Sequence, residues 1–321
     1  MSTLAELGIK TPYALAPMAG TTDTSFRSLC CEFGAGWVVT ELVSARGIIY
    51  DQALQKSMRY LRYSEHEHPI AVQLFGATPE DFAGAIEILS KQEFAQGYDF
   101  IDINMGCPVN KVVKTGAGSA LMRTPDIACA ICEAAVKAAT TWGKQVTCKI
   151  RTGWNEQQIN CVELAKALEQ TGIVMLTVHG RTREQMYAGK ANWQLIKAVK
   201  DSVKIPVWGN GDVHDLRSAE AMFNETKVDG VMIGRGAQGK PWIFAELKGL
   251  KLTANEKLNA VKKHLQRMCE SLGEDLAVRE FRSQLSFYTK GIPGAAKLRQ
   301  QIFQLKNREE IIQVLEQINW Q

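Results

Sequence analysis

Eight short β-rich segments recur along the chain at a nearly fixed interval, and that interval limits the folds open to it. They are YALAPM from Tyr13, WVVTELVS from Trp37, PIAVQLFG from Pro69, FIDINMGCP from Phe100, QVTCKIRTG from Gln145, IVMLTVHGR from Ile173, IPVWGNGD from Ile205 and VDGVMIGRGA from Val228. Their mean spacing of about 31 residues suits one strand, one helix and two loops. Helix-like stretches lie between them, including TPEDFAGAIEILSKQEFAQG and TPDIACAICEAAVKAAT. Each opens with Thr-Pro, a pair suited to an N-cap and a first helical position. Alternating strands and helices imply a parallel sheet, and eight such units in about 240 residues predict an α/β fold, a (β/α)8 TIM barrel. A doubly wound sheet would need a phosphate loop after its first strand, and APMAGTTD has no glycine-rich fingerprint.

After Gly239 the alternation stops. From about Ala245 the pattern is amphipathic helix, with Leu247, Leu250, Leu258, Val261, Leu265 and Met268 at three-to-four spacing, and KGIPGAAKLRQQIFQL begins as a loop and resumes as helix. The expected organisation is a barrel over residues 1–244 and a C-terminal all-helical domain over 245–321. The last 76 residues carry thirteen Lys or Arg against nine Asp or Glu, whereas the preceding 245 are balanced at 25 of each. The whole net charge of +4 therefore sits in the tail. A solvated helical face explains it, and so does a weak footprint for an anionic partner. No apolar run approaches a membrane span, the first residues lack an export signal, and the eight cysteines do not form a secreted framework. A cytoplasmic protein is expected.

In a barrel of this kind chemistry gathers at the C-terminal ends of the strands. Those ends are Met18, Glu41, Gln73, Asn104 with Cys107, Lys149 with Arg151, His179 with Arg181, Asn210, and Gly234 with Arg235. That many polar endings on one face point to a site. Cys107, between Gly106 and Pro108, reads as a presented thiol rather than a packed one. GNGD and IGRGA, after the last two strands, supply exposed N–H groups and the Arg235 guanidinium where this fold commonly seats a phosphate; Asp212 would help only through its backbone. GRGAQGK imitates nucleotide-binding loops, but Pro241 stands where a P-loop needs a hydroxyl, and helices follow where a βαβ unit should. Lys149 could form a Schiff base, hold a phosphate or stabilise a reduced flavin. His179 is as readily structural as functional. Cys129 and Cys132 form a CxxC with no second pair and read, like Cys30, Cys31, Cys148, Cys161 and Cys269, as structural thiols, with no metal expected.

APMAGTTDTSFR, INMGCPVNKV, GAGSALM, CKIRTGW, VHGRTREQMYAG, GNGD, MIGRGAQGKPW and RSQLSFYTKGIPGAAKLR together resemble the tRNA-dihydrouridine synthases, most closely the bacterial B-type group, from about Ala14 to Gln304. The resemblance implies an FMN-containing barrel, a helical domain that grips tRNA, NADPH as reductant, and reduction of the C5–C6 bond of selected uridines. It implies FMN contacts by Pro17, Met18, Ala19, Gln73, Lys149, His179, Asn210, Gly211, Asp212, Gly234 and Arg235. Cys107 matches the catalytic cysteine, a proton donor to C5 after hydride reaches C6. Asn104, Arg151, Arg181 and Tyr187 match contacts to the target base or nearby RNA. The tail departs from the pattern at Ser283 and Gln284, where B-type relatives carry a basic pair. A monomer is expected. The competing readings are an FMN oxidoreductase acting on free pyrimidines, like dihydroorotate dehydrogenase, a catalytically silent RNA-binding factor, and a Schiff-base aldolase using Lys149.

Overall fold

The structure is a computed structural model and describes residues 3–320. Nine parallel strand segments form the central sheet: β1 (Tyr13–Leu15), β2 (Val38–Val39), β3 (Val43–Ser44), β4 (Ile70–Phe75), β5 (Phe100–Met105), β6 (Gln145–Arg151), β7 (Met175–His179), β8 (Val207–Asn210) and β9 (Gly230–Ile233). They pair in the order β1-β9-β8-β7-β6-β5-β4-β2, with β3 also on β4. A parallel bridge from Ala14 to Trp37 closes β1 onto the second strand, so the sheet is a TIM barrel.

The expected second strand is one run from Trp37, but the structure breaks it into β2 and β3. Thr40 causes the break. Its hydroxyl, rather than a backbone carbonyl, accepts the Gln73 N–H at 2.9 Å and donates to the Glu41 carbonyl. The Thr-Pro signals also divide. Thr78 caps the helix Pro79–Ser90 by accepting from Asp81 N, whereas Thr124, at ψ 69°, makes no side-chain capping bond to the helix Pro125–Thr141.

The period-2 alternation of the strands sorts residues between two layers. Ile101, Ile103 and Met105 of β5, like Cys148 and Ile150 of β6, pack outward against the helices. The inward positions are apolar at the N-terminal end, where Trp37, Ala71, Phe100, Met175, Trp208 and Met232 fill the barrel. Trp37 meets Trp208 edge-on at 5.7 Å and Phe100 at 6.2 Å. Higher up the same strands, the inward residues become Gln73, Asp102, Asn104, Thr147, Lys149 and Asn210. One end is therefore plugged and the other is polar.

The tail is four helices, Ala254–Leu272, Glu274–Tyr288, Ala295–Ile302 and Arg308–Glu316. Thr253 and Glu256 form a capping box at the first, by about 1 kcal/mol a helix-stabilising feature. These helices share a second core of Val261, Leu265, Phe281, Ile311, Leu315 and Trp320, which also takes in Leu29 and Trp242. Leu250, expected on the apolar stripe, lies just after a turn and is exposed. A β-carbon at Gly239, at φ +67°, would overlap the backbone of Phe287 and Tyr288, so this glycine lets a tail helix touch the barrel. That contact accounts for one glycine of the nucleotide-loop look-alike.

His264 is fully buried where tail and barrel meet, hydrogen-bonded through Nδ1 to the Tyr288 hydroxyl at 2.9 Å and packed on Phe26 and Phe281. Burial pushes its pKa down to about 3, with Arg267 adding repulsion. The unfolded chain takes up this proton below about 6.5 and the folded chain only near 3, so protonation favours unfolding across that window. Stability should fall by about 1.4 kcal/mol per pH unit through it on this account. His264→Gln should flatten the acid limb of a plot of melting temperature against pH relative to the parent; an unchanged limb would show that His264 does not titrate on unfolding.

Candidate active site at the mouth of the barrel

Gln73, Asp102 and Thr147 stand in register on β4, β5 and β6, all buried and all pointing inward. A buried carboxylate must be hydrogen-bonded. Asp102 accepts from Thr147 Oγ1 at 2.6 Å and from Gln73 Nε2 at 2.7 Å. Burial raises its pKa, and these two bonds oppose the rise. The carbonyl end of Gln73 accepts from Asn104 Nδ2 at 2.8 Å. That bond fixes the Asn104 amide so that its Oδ1 faces the chain ahead, where it accepts from Gly106 N at 3.1 Å and Cys107 N at 2.9 Å.

Cys107 is thus held from below by a chain of side chains that begins inside the barrel. Its carbonyl accepts from the N–H and the hydroxyl of Ser119, at 3.1 and 2.9 Å, and the carbonyl of Gly106 accepts from Arg151 Nε at 2.7 Å. Gly118, at φ +60°, permits the approach: a β-carbon there would lie 2.8 Å from the Cys107 carbonyl oxygen and 3.1 Å from its Cβ. The thiol is half-buried rather than sealed in the core. Burial raises its pKa above the ordinary value, while the Val109 N–H and the Arg151 charge pull it back only partly.

Lys149 is also on an inward position of β6, and its ammonium donates to Asn210 Oδ1 at 2.9 Å. Asn210 passes its own N–H to the Met232 carbonyl. Burial, with repulsion from Arg151, lowers the lysine pKa to about 7. Burial and then the charges of Arg151, Lys149, Arg181 and Arg235 push His179 well below its usual value. Asp212, at φ +61°, is the clamp of the far side. It accepts from Arg181 at 2.7 and 2.9 Å, from Arg235 at 3.2 Å and from Ala191 N at 2.7 Å, which together lower its pKa despite burial.

The strand-end residues expected from sequence therefore converge at one mouth, but several face inward. Gln73 spends both ends of its amide on Asp102 and Asn104. Arg151 donates to the carbonyls of Gly106, Thr182 and Met186, and Arg181 to those of Ala188 and Gly189. Tyr187 is exposed, its ring near both Arg151 and Arg235. Pro17, Met18 and Ala19 lie on the loop after β1 and Gly211 and Gly234 after β8 and β9. A cavity of about 1010 Å³ opens between the loop Arg181–Trp193 and the turn at Asp212; it shares Arg181, Tyr187, Asp212 and Arg235 with the site, while Cys107 and Lys149 lie outside its lining. Asp102, Thr147, Ser119 and Gly118 were not singled out from sequence. An aspartate inside FIDINM, a strand otherwise apolar up to Asn104, is the signal that could have found the first of them. The CxxC thiols sit on the helix Pro125–Thr141, with Cys132 buried and Cys129 only half-buried.

The family model described as dihydrouridine synthase matches residues 14–320. A probable tRNA-dihydrouridine synthase of Rickettsia bellii is 42% identical over 295 residues, covering 89% of this chain and 87% of that protein. The tRNA-dihydrouridine synthase B of Pasteurella multocida is 37% identical over 316 residues, covering 96% and 92%. Among solved structures, 2-naphthoyl-CoA reductase with 2-naphthoyl-CoA aligns at a TM-score of 0.57 and 10% identity, over 75% of this chain and 50% of that one. Morphinone reductase with tetrahydroNAD aligns at 0.53 and 13%, over 76% and 88%. At such identities the two structures speak for the barrel alone.

The raised thiol pKa has a direct readout. Alkylation of Cys107 by iodoacetamide, followed peptide by peptide across pH, should show its half-point above the ordinary ~8.5 of a free cysteine. A half-point below 8 would mean that Arg151 outweighs burial.

Proposed function

The chain belongs to the dihydrouridine synthase family, as a flavin-dependent tRNA-dihydrouridine synthase of the bacterial B type, and we propose that it reduces the C5–C6 bond of tRNA uridines with FMN in the barrel mouth, NADPH as external reductant and Cys107 as the acid. One observation carries this reading: a half-buried thiol, fixed through its backbone by Asn104 and Ser119, at the open end of a polar barrel.

The mouth suits an anionic cofactor. Among the described residues Lys149 and Arg151 form no ion pair, Arg181 and Arg235 pair only with Asp212, and the Asp102 carboxylate is taken up by Thr147 and Gln73. Desolvation and then the nearby Arg151 charge lower the Lys149 pKa, and its one hydrogen-bond partner, a neutral amide, does not offset them. A phosphate and a reduced isoalloxazine would supply a counter-charge. Lys149, His179 and Asn210 would meet the ring system, with Pro17, Met18 and Ala19 along it. The N–H groups near Gly211, Asp212 and Gly234 and the outer face of Arg235 would meet the phosphate. When bound, the flavin supplies the hydride that goes to uracil C6.

The rest of the chemistry falls to the chain. Hydride at C6 leaves enolate character over C5 and the neighbouring carbonyl, so a proton must be delivered at C5. A thiol kept protonated by burial is such a donor at neutral pH. Arg151, pinned to the Gly106 carbonyl, holds the thiol's loop instead of stripping its proton. Lys149 should regain its full charge beside an anion, because the attraction reverses the effect of burial. A uridine stacked in RNA must swing out to reach this depth. The tail offers Lys290, Lys297 and Lys306, which form no ion pair among the described residues, as phosphate contacts. Gln284, where the family resemblance implies a basic residue, is instead buried and donates to the carbonyls of Gly20 and Thr21. It joins the tail to the loop after β1.

Cys107→Ala should keep its flavin and its reduction by NADPH while dihydrouridine formation in tRNA falls by about 10²–10⁴-fold; product at the parental rate would remove Cys107 from the acid's role. Lys149→Met should weaken flavin retention about tenfold or more, measured as FMN released on ultrafiltration. Undiminished retention would place the cofactor away from β6.

A further inference from the structure

Just past β6, the guanidinium groups of Arg123 and Arg183 lie 4.9 and 4.8 Å from the centre of the Trp154 ring. Neither arginine forms an ion pair among the described residues. Two unneutralised cations gathered on one indole repel each other. Exposed Lys111 and Lys114 follow on the same rim.

Arg123 and Trp154 also line a cleft of about 260 Å³, with Met122, Pro125, Gln158 and Asn160; Arg183 reaches the same indole from outside that lining. Two buried polar atoms at this place have no partner. Asn160 donates through Nδ2 to the Met122 carbonyl at 2.7 Å, but its Oδ1 accepts nothing. Arg183 donates through Nη2 to Asn110 Oδ1 at 2.5 Å, but its Nε is unused. Orphaned buried groups of this kind call for a ligand or ordered water. The features together define the ligand: an aromatic face and guanidinium planes for stacking, free positive charge for an anion, and a buried acceptor for an N–H. An acidic peptide satisfies the charge but puts a carboxylate against the Asn160 oxygen. A nucleotide satisfies all three.

We propose that this cleft takes one unpaired nucleotide of the tRNA, a near neighbour of the uridine presented to Cys107. Its base lies against Trp154 with an N–H toward Asn160 Oδ1, and its phosphates meet Arg123 and Arg183. The placement follows from chain connectivity: Asn110, the hydrogen-bond partner of Arg183, is three residues beyond Cys107, and Arg151, three residues before Trp154, holds the Gly106 carbonyl. The inference rests on tRNA being the substrate, and it gives the barrel rim a grip on RNA separate from the helical tail.

The test uses full-length, flavin-loaded protein and an unmodified tRNA transcript, with affinity measured over a series of salt concentrations. Trp154→Ala should bind about tenfold more weakly, the scale of one lost base–aromatic stack. Arg123→Ala, a change at an exposed side chain that threatens no core, should make the dependence of log K on log salt shallower by about 0.7–0.9. If Trp154→Ala does not fold, the Arg123→Ala slope decides alone. Parental protein that forms dihydrouridine, with both folded variants binding at parental affinity and slope, overturns the cleft and leaves the enzymatic reading standing. Parental protein that forms none in any tRNA overturns that reading itself.

Discussion

The carboxylate of Asp102 is the constraint on which the working end of this barrel depends. It is sealed among strands, so its lone pairs must be met by neighbours in register, and Thr147 and Gln73 meet them. Once Gln73 is committed, its carbonyl can serve only Asn104, and Asn104 can turn only toward the amides of Gly106 and Cys107. A rule about buried charge, applied inside the barrel, sets where a thiol stands at the mouth. Rigidity of this kind is what an acid needs, because proton delivery depends on heavy-atom placement within hydrogen-bond reach.

The mouth and the plug are two halves of one alternation. Inward residues near the N-terminal ends are large and apolar, and those near the C-terminal ends are polar. The strands spend their first residues on excluding water and their last on chemistry. The cost of the polar half is visible in its titrations. Asp102 is pushed up, and Lys149 and His179 are pushed down, all chiefly by desolvation. An anionic cofactor seated between them, as proposed, would relieve two of the three.

Much of this was legible in the sequence because it follows from period and position. Spacing gave eight strands and their order, and strand ends gave the residues that now surround the mouth. Hydrogen-bond traffic was less legible. The string CKIRTG marks Arg151 as a strand-end cation but cannot say that its guanidinium folds back on Gly106, Thr182 and Met186, since those carbonyls come from loops far apart in the chain. Thr40 breaking the second strand was hidden for the same reason, its partner being on β4. Ser283 and Gln284 looked like lost charge on an RNA-facing helix. In space, Gln284 is a buried fastening, and a basic side chain there would need a different arrangement of the Gly20 turn.

The second core also has a bearing on how such enzymes can diverge. Leu29 comes from the helix Thr24–Glu32, itself pinned by the buried Arg27–Glu67 pair, and Trp242 follows the last strand, yet both pack among the tail helices. A segment whose interior is completed by its neighbour cannot be exchanged like a cassette, because a foreign replacement would strand Leu29 and Trp242 in water. A lineage that comes to address a different position on its RNA must therefore do so by redrawing the outer faces of an unchanged frame, one exposed side chain at a time.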